Sequence, residues 1–250
     1  MNNLASQKEN KLKKFYKLLT QKLKFHDRSS AKSKNNDEIA TLKSTFFPEL
    51  LTEMRNVIDP GPRDEHLFSC IEDWCNSHDI TKKQMIQHAR ELVKTNSEYA
   101  CLLGLCYHYG VGTSRNYKKT FKYYSKAADF GDRFGMNQLG WCFRKQLGTK
   151  QNLALSTLWY QRSASLGDPT GQCNLAFCFY DGDGTKVDKY ISYKLFEKSA
   201  IAGIDTSQQK VVKLYLHGIG TERDIHKAIK CCREWMKASD LRAFCQHIFR

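Results

Sequence analysis

Ten cysteines, eight histidines and one short acidic loop are the parts of this sequence that could hold a metal or carry acid, base or nucleophilic chemistry. Cys70, Cys106, Cys142 and Cys178 fall 36 residues apart, so these thiols occupy one column of a regular spacing and cannot gather around a single ion. Cys70, Cys75 and His78 offer at most three ligands, and no metal is expected there. Asp181-Gly182-Asp183-Gly184 has the start of a calcium loop, but Ser192 stands where the bidentate Glu of position twelve belongs. That string reads as a turn. The phosphate-cradling Gly-x-x-x-x-Gly-Lys-Ser/Thr, the His-Glu-x-x-His pair and the Gly-x-Ser-x-Gly elbow do not occur. The histidines scatter without a pairing pattern and read as structural or solvated. The expectation is a chain with no catalytic residues, no cofactor and no metal.

Charge points to a different kind of chemistry. The net charge is +14, and residues 1–36 alone hold ten basic and two acidic side chains, a net +8. Between Lys11 and Phe25, Leu12, Phe15, Tyr16, Leu19 and Leu23 recur at steps of three and four, with most lysines on the other side. Residues 1–27 are therefore expected to form a basic amphipathic helix, in which Lys11, Lys13, Lys14, Lys17, Lys22 and Lys24 could meet an anionic membrane surface or an acidic partner. A self-docked terminal helix with a solvated charged face is the plainer reading. A Lys-rich mitochondrial leader is a third, opposed by Glu9 and the scarcity of Arg. The polar start Met1–Asn10 is not a secretory signal, so the expected location is cytoplasmic, with membrane association open and secretion excluded.

The elements that would position these groups follow from composition and period. The chain is 250 residues long and 41% apolar, enough for one or two packed domains. No run approaches the roughly 18 apolar residues of a membrane span. Residues 28–45 are too polar to offset ordering entropy and read as a flexible linker. Residues 46–64 read as a short docking helix carrying Leu50, Leu51, Met54, Val57 and Ile58, broken at Asp59-Pro60-Gly61-Pro62. From about residue 97 the sequence overlays on itself at a shift of 36. Gly112, Gly148, Gly184 and Gly220 are each followed by threonine, Leu103, Leu139, Leu175 and Val211 form a second column, and Tyr107, Phe143, Phe179 and Tyr215 a third. Each unit shows helical spacing twice. Gly112 and its equivalents are expected to allow a left-handed backbone where the first helix ends. Gly104 and Gly140, inside helices, mark close approach of two helices.

The string Leu103-Gly104 to Gly112, then Tyr123-Tyr124, Lys126-Ala127-Ala128 and Gly131-Asp132, resembles the Sel1-like repeat, a relative of the tetratricopeptide repeat. The second copy keeps Leu139-Gly140, Trp159-Tyr160 and Gly167-Asp168. The third keeps Leu175, Gly182, Gly184, Phe196 and Gly203, with Ala176 where Gly is expected, and the fourth is worn, with Cys231-Cys232 in place of the aromatic doublet. The resemblance implies an all-α fold, a right-handed α-solenoid of stacked helix-turn-helix repeats. Residues 65–96 would be a degenerate capping repeat, 97–239 four repeats and 240–250 a C-terminal capping helix. Some secreted bacterial relatives bridge the two helices of each repeat, but the second-helix segments 117–131, 153–167 and 189–203 hold no cysteine, so the thiols are expected to be free and buried.

By analogy with related solenoids, the first helix of each repeat lines a concave groove. A stripe that changes chemistry between repeats is expected to face it: Leu105 and His108, then Asn137, Trp141 and Arg144, then Phe177 and Tyr180, then Lys213. Cys101, Cys173, Gln209 and Leu216 complete the stripe. Large aromatics beside Arg and Asn suit protein recognition, with acidic groups of a peptide near Arg144 and Lys213. The expected function is a non-catalytic, monomeric adaptor that binds a protein partner. The alternative is a membrane-surface or nucleic-acid binder working through the basic N-terminal helix, with nucleic acid disfavoured. A hydrolase, suggested only by bacterial relatives, is the weakest reading. The resemblance also brings scaffolds of endoplasmic-reticulum degradation and of fungal chitin synthase regulation, roles that no residue here specifies.

Overall fold

The computed structural model describes residues 71–73, 75–76, 81–93 and 97–235, all within the compact unit Phe47–Arg250. The elements expected at 1–27, 28–45, 46–64 and 240–250, the six N-terminal lysines included, lie outside the described residues. Among those described there are nine full helices and no strand: α1 (Lys82–Leu92), α2 (Ser97–Tyr109), α3 (Tyr117–Asp129), α4 (Arg133–Lys145), α5 (Leu153–Ser165), α6 (Pro169–Asp181), α7 (Lys189–Ile201), α8 (Asp205–His217) and α9 (Ile225–Trp235). The first helices of the four repeats, α2, α4, α6 and α8, begin 36 residues apart, and so do the second helices α3, α5, α7 and α9. The period read from the sequence is thus the period of an α-solenoid of stacked hairpins.

Local chemistry sets each boundary. Asn116, Asn152 and Asp188 cap α3, α5 and α7, each side chain accepting a hydrogen bond from the backbone N–H three residues on. Asp132 and Asp168, the acidic halves of the Gly-Asp pairs, cap α4 and α6 in the same way. Such a cap is worth about 1 kcal/mol. At the fourth repeat Ile204 takes the capping position and supplies no side-chain bond. The first helices end on a left-handed residue, at Gly182 and Gly218 for α6 and α8, and at Gln146 (φ 58°) for α4. Gly110 has φ 80° directly after α2. The glycine that stops the helix is therefore the first of each Gly-x-Gly. The second, Gly112 and its equivalents, is also left-handed but does other work, since it meets the preceding repeat.

Helices cross where small residues let them. A Cβ on Gly104 would sit 2.4 Å from the ring of Tyr124, and one on Gly140 would sit 2.8 Å from the ring of Tyr160. In the third repeat the same crossing pairs Ala176 with Phe196, and in the fourth Val212 with Cys232, all within one apolar cluster. Bulk thus moves from the second helix to the first along the stack while the slot stays filled, as close packing demands. Ser156 and Ser192 donate to the carbonyls of Gly140 and Ala176, both at 2.8 Å, tying the crossings together.

Tyr124 is imperfect at this slot. Its hydroxyl is buried and has no hydrogen-bond partner among the described residues, and burial pushes its pKa well up. Tyr124→Phe should therefore stabilise the protein by about 1 kcal/mol in chemical denaturation, because an orphaned buried hydroxyl is removed and the ring is kept. A loss of similar size would mean that the hydroxyl is satisfied after all.

Candidate interaction groove

Each second helix packs on its own first helix and on the first helix of the next repeat, and α4 also touches α6. The first helices therefore sit side by side. The residues between their two buried flanks are those that a partner could reach.

The expected stripe divides into three parts on this frame. The column Cys101, Asn137 and Cys173 does not face the groove; all three are buried, with Asn137 3% exposed. Asn137 accepts a hydrogen bond from the Asn174 amide at 2.8 Å, a bond between adjacent repeats. Its assignment to the groove is corrected: a buried amide needs a partner, and the next repeat supplies it. Leu105 is corrected as well, being 1% exposed. Helix α2 is apolar all round from Tyr99 to Tyr107, and such a helix is buried on every side. His108 stays half-buried against Tyr109 and edge-on to Tyr117, with ring centroids 4.5 and 5.8 Å away.

Arg144 is the third correction. Its guanidinium pairs with Asp183 at 2.6 Å across the repeat boundary. The Asp183 carbonyl accepts from the Thr157 hydroxyl at 2.7 Å, so the acidic turn is held where Arg144 needs it. Arg144 is thus a clasp between repeats and not a free cation awaiting an acidic peptide. Together with Lys145, Gln146, Gln151 and Leu153, the pair lines an open depression of about 340 Å³.

Of the expected stripe, Trp141, Phe177 and Tyr180 are half-buried and Lys213 is exposed, and lysines that the stripe did not include join them. Lys145 lies over the Trp141 ring at 5.1 Å, one helical turn on. Lys210 lies 5.7 Å from the Phe177 ring and 3.6 Å from that of Tyr180. Lys189 approaches Tyr180 at 3.4 Å and donates to its carbonyl at 2.5 Å. Tyr180 is therefore held between two ammonium groups from two different repeats. Phe177 also packs edge-on against Phe196 at 4.8 Å, which ties it to the core. Burial lowers the pKa of Lys210, with Asp181 opposing the effect and Lys213 adding to it. A partly desolvated ammonium gains by meeting a carboxylate. Lys145 and Lys210 were legible in principle, since they stand four after Trp141 and three before Lys213 on the same helical face.

The remaining expectations concern cysteines and membranes. Cys75, Cys106, Cys142, Cys178 and Cys231 are free thiols. No helix among the described residues is long and apolar enough to cross a membrane.

The Sel1 repeat family model matches residues 97–132, 134–168, 169–204 and 213–237, together more than half of the chain and in step with the four hairpins. The chain belongs to the Sel1 repeat family. Two solved structures show the same likeness. One is a protective antigen of uropathogenic Escherichia coli strains that displays an SLR fold; it is 29% identical, with a TM-score of 0.61 over 68% of this chain. The chain spans 37% of that antigen's length. The other is a Sel1 repeat protein from Oxalobacter formigenes, 22% identical over 63% of this chain and 64% of its own, with a TM-score of 0.58, a likeness of fold alone. No curated protein matches the chain. Sel1 repeat proteins are in general protein-interaction scaffolds, and the α-solenoid described above is their architecture.

Proposed function

We propose that this Sel1 repeat chain is a non-catalytic adaptor that holds an acidic segment of a partner protein against the first helices of repeats two to four. The observation that carries this reading is the recurrence of an aromatic ring with a lysine laid on it, at Trp141, Phe177 and Tyr180. Rings give a partner buried apolar area at small entropic cost, and the lysines set its charge and register. The scaffold columns around them are filled by packing and caps, which leaves these positions to vary with the partner. The free thiols support a reducing, cytoplasmic setting for this work.

Affinity capture tests it. The intact chain should retain at least one protein that a Trp141→Ala/Lys213→Glu variant loses by tenfold or more, and the difference should persist with the purified partner. Lys213 is exposed and Trp141 half-buried, so Lys213→Glu alone, which should melt like the intact chain, serves as the second variant and should lose the same protein. Identical captures from the two forms would overturn the reading.

A further inference from the structure

The opposite side of the stack carries a second pattern that the groove does not explain. In each second helix the third and sixth residues point outward and are exposed. The third-residue column runs Lys119, Leu155, Ile191, Lys227, and the sixth-residue column runs Lys122, Leu158, Lys194, Lys230. Lysines hold both positions at the two ends of the stack, and the two middle repeats carry Leu155, Leu158 and Ile191 with Lys194 beside them. Leu155, Leu158 and Ile191 are 37, 40 and 40% exposed, and the neighbouring Tyr190 is 62% exposed.

Contacts within the protein account for part of this arrangement: Lys119 and Lys227 lie over the first-helix rings of Tyr107 and Tyr215 at 4.9 and 5.8 Å, and Lys194 pairs with Glu197 at 3.3 Å. Lys118 and Lys119 stand in the first turn of α3, where the helix dipole favours acidic residues, and that turn has none. Lys118, Lys119 and Lys122 crowd one face at spacings that repel. Among the described residues none of these three lysines has a carboxylate within ion-pair distance. At the other end the pairs Lys227–Asp224 and Lys230–Glu234 are exposed and long, at 3.3 and 3.9 Å.

We infer that the outer face of the second helices is a docking surface for an anionic lipid bilayer. Such a bilayer satisfies both halves of the pattern at once. Lipid phosphates and carboxylates meet the lysines, whose stems can lie along apolar surface, while the central leucines, isoleucine and tyrosine enter the acyl boundary. Nucleic acid would use the cations but leave three aliphatic side chains without a partner, since it is read by stacking rings and by arginine. This surface is independent of the groove, so an adaptor could be held at a membrane while its first helices carry a protein.

Vesicle sedimentation of the full-length chain tests the inference. Phosphatidylcholine vesicles containing phosphatidylserine should bind the chain at least tenfold better than phosphatidylcholine alone. One lysine near such a surface contributes about fivefold in partition, so Lys122→Glu/Lys230→Glu should lower binding by tenfold or more. Leu158→Ser/Tyr190→Ser, at unchanged charge, should lower it about tenfold. All four positions are exposed, so each variant should melt like the intact chain. A Lys11→Gln/Lys14→Gln/Lys17→Gln chain separates this face from the N-terminal segment, and it should retain the response to both outer-face pairs. Loss of the inference has three forms: no preference for anionic vesicles, outer-face variants that bind like the intact chain, or a response to the lysine pair without one to the apolar pair. The last would indicate a purely electrostatic surface for a polyanion or an acidic protein.

Discussion

Gly148→Ala should destabilise the protein by on the order of 4 kcal/mol, while Gly167→Ala should cost about 1 kcal/mol, although both glycines have nearly the same backbone conformation. Their φ angles are 74° and 76°, so the left-handed penalty for an L-residue is shared. The surroundings differ. A Cβ at Gly167 meets nothing within 4 Å, whereas one at Gly148 would fall 2.0 Å from the carbonyl oxygen of Tyr117. Tyr117 is the first residue of α3, in the preceding repeat. The obstacle is backbone at a helix start and cannot rotate aside as a side-chain tip could. The same contact recurs with Gly184 on Leu153 and Gly220 on Lys189, and Gly112 meets Lys82, the first residue of α1. These glycines therefore join one repeat to the next. In a solenoid, stability is a sum of repeat and interface contributions, so weakening one interface should also broaden the unfolding transition. Urea unfolding of the two variants checks both points. Equal costs would show that backbone conformation alone explains the glycine column.

How far the sequence reveals this architecture depends on whether a feature repeats. The helix starts, the glycine turns and the crossings at Gly104 and Gly140 all recur at a shift of 36, and each is where the spacing placed it. The double duty of the Gly-x-Gly pair was not legible. Both glycines look like helix stops in one dimension, and only the neighbouring repeat distinguishes the stop at Gly182 from the contact at Gly184. Two of the groove assignments failed for a related reason. Asn137 and Arg144 vary between repeats as partner-binding residues should, yet they vary because each answers a residue of the adjacent repeat, Asn174 and Asp183. Variation in a column identifies positions free of the shared scaffold. It does not separate contacts to a ligand from private contacts between two repeats. Trp141 is a different case, since its ring is met by a lysine of its own helix.

Raising the pH above about 9 should unfold the protein, at a slope of about 3 kcal/mol per pH unit from Cys106 and Cys142 alone. Burial pushes both thiols from 9.0 up to about 12, and Cys75 up to about 11. The sign follows from linkage. A group with a raised folded value holds its full contribution below the unfolded value and loses it as the pH climbs toward the folded one. The unfolded chain then releases protons that the folded chain retains. The buried Tyr124 hydroxyl is raised in the same direction and adds to the slope above pH 10. Cys106→Ala/Cys142→Ala separates these contributions. Each substitution removes a buried sulfur and costs stability at neutral pH, so the quantity to compare is the slope of urea-unfolding free energy between pH 9 and 11. The variant's slope should be visibly flatter, leaving Cys75 and the tyrosines. If the two slopes coincide, the column thiols reach solvent in the folded state and are not the sealed packing residues that the stack requires.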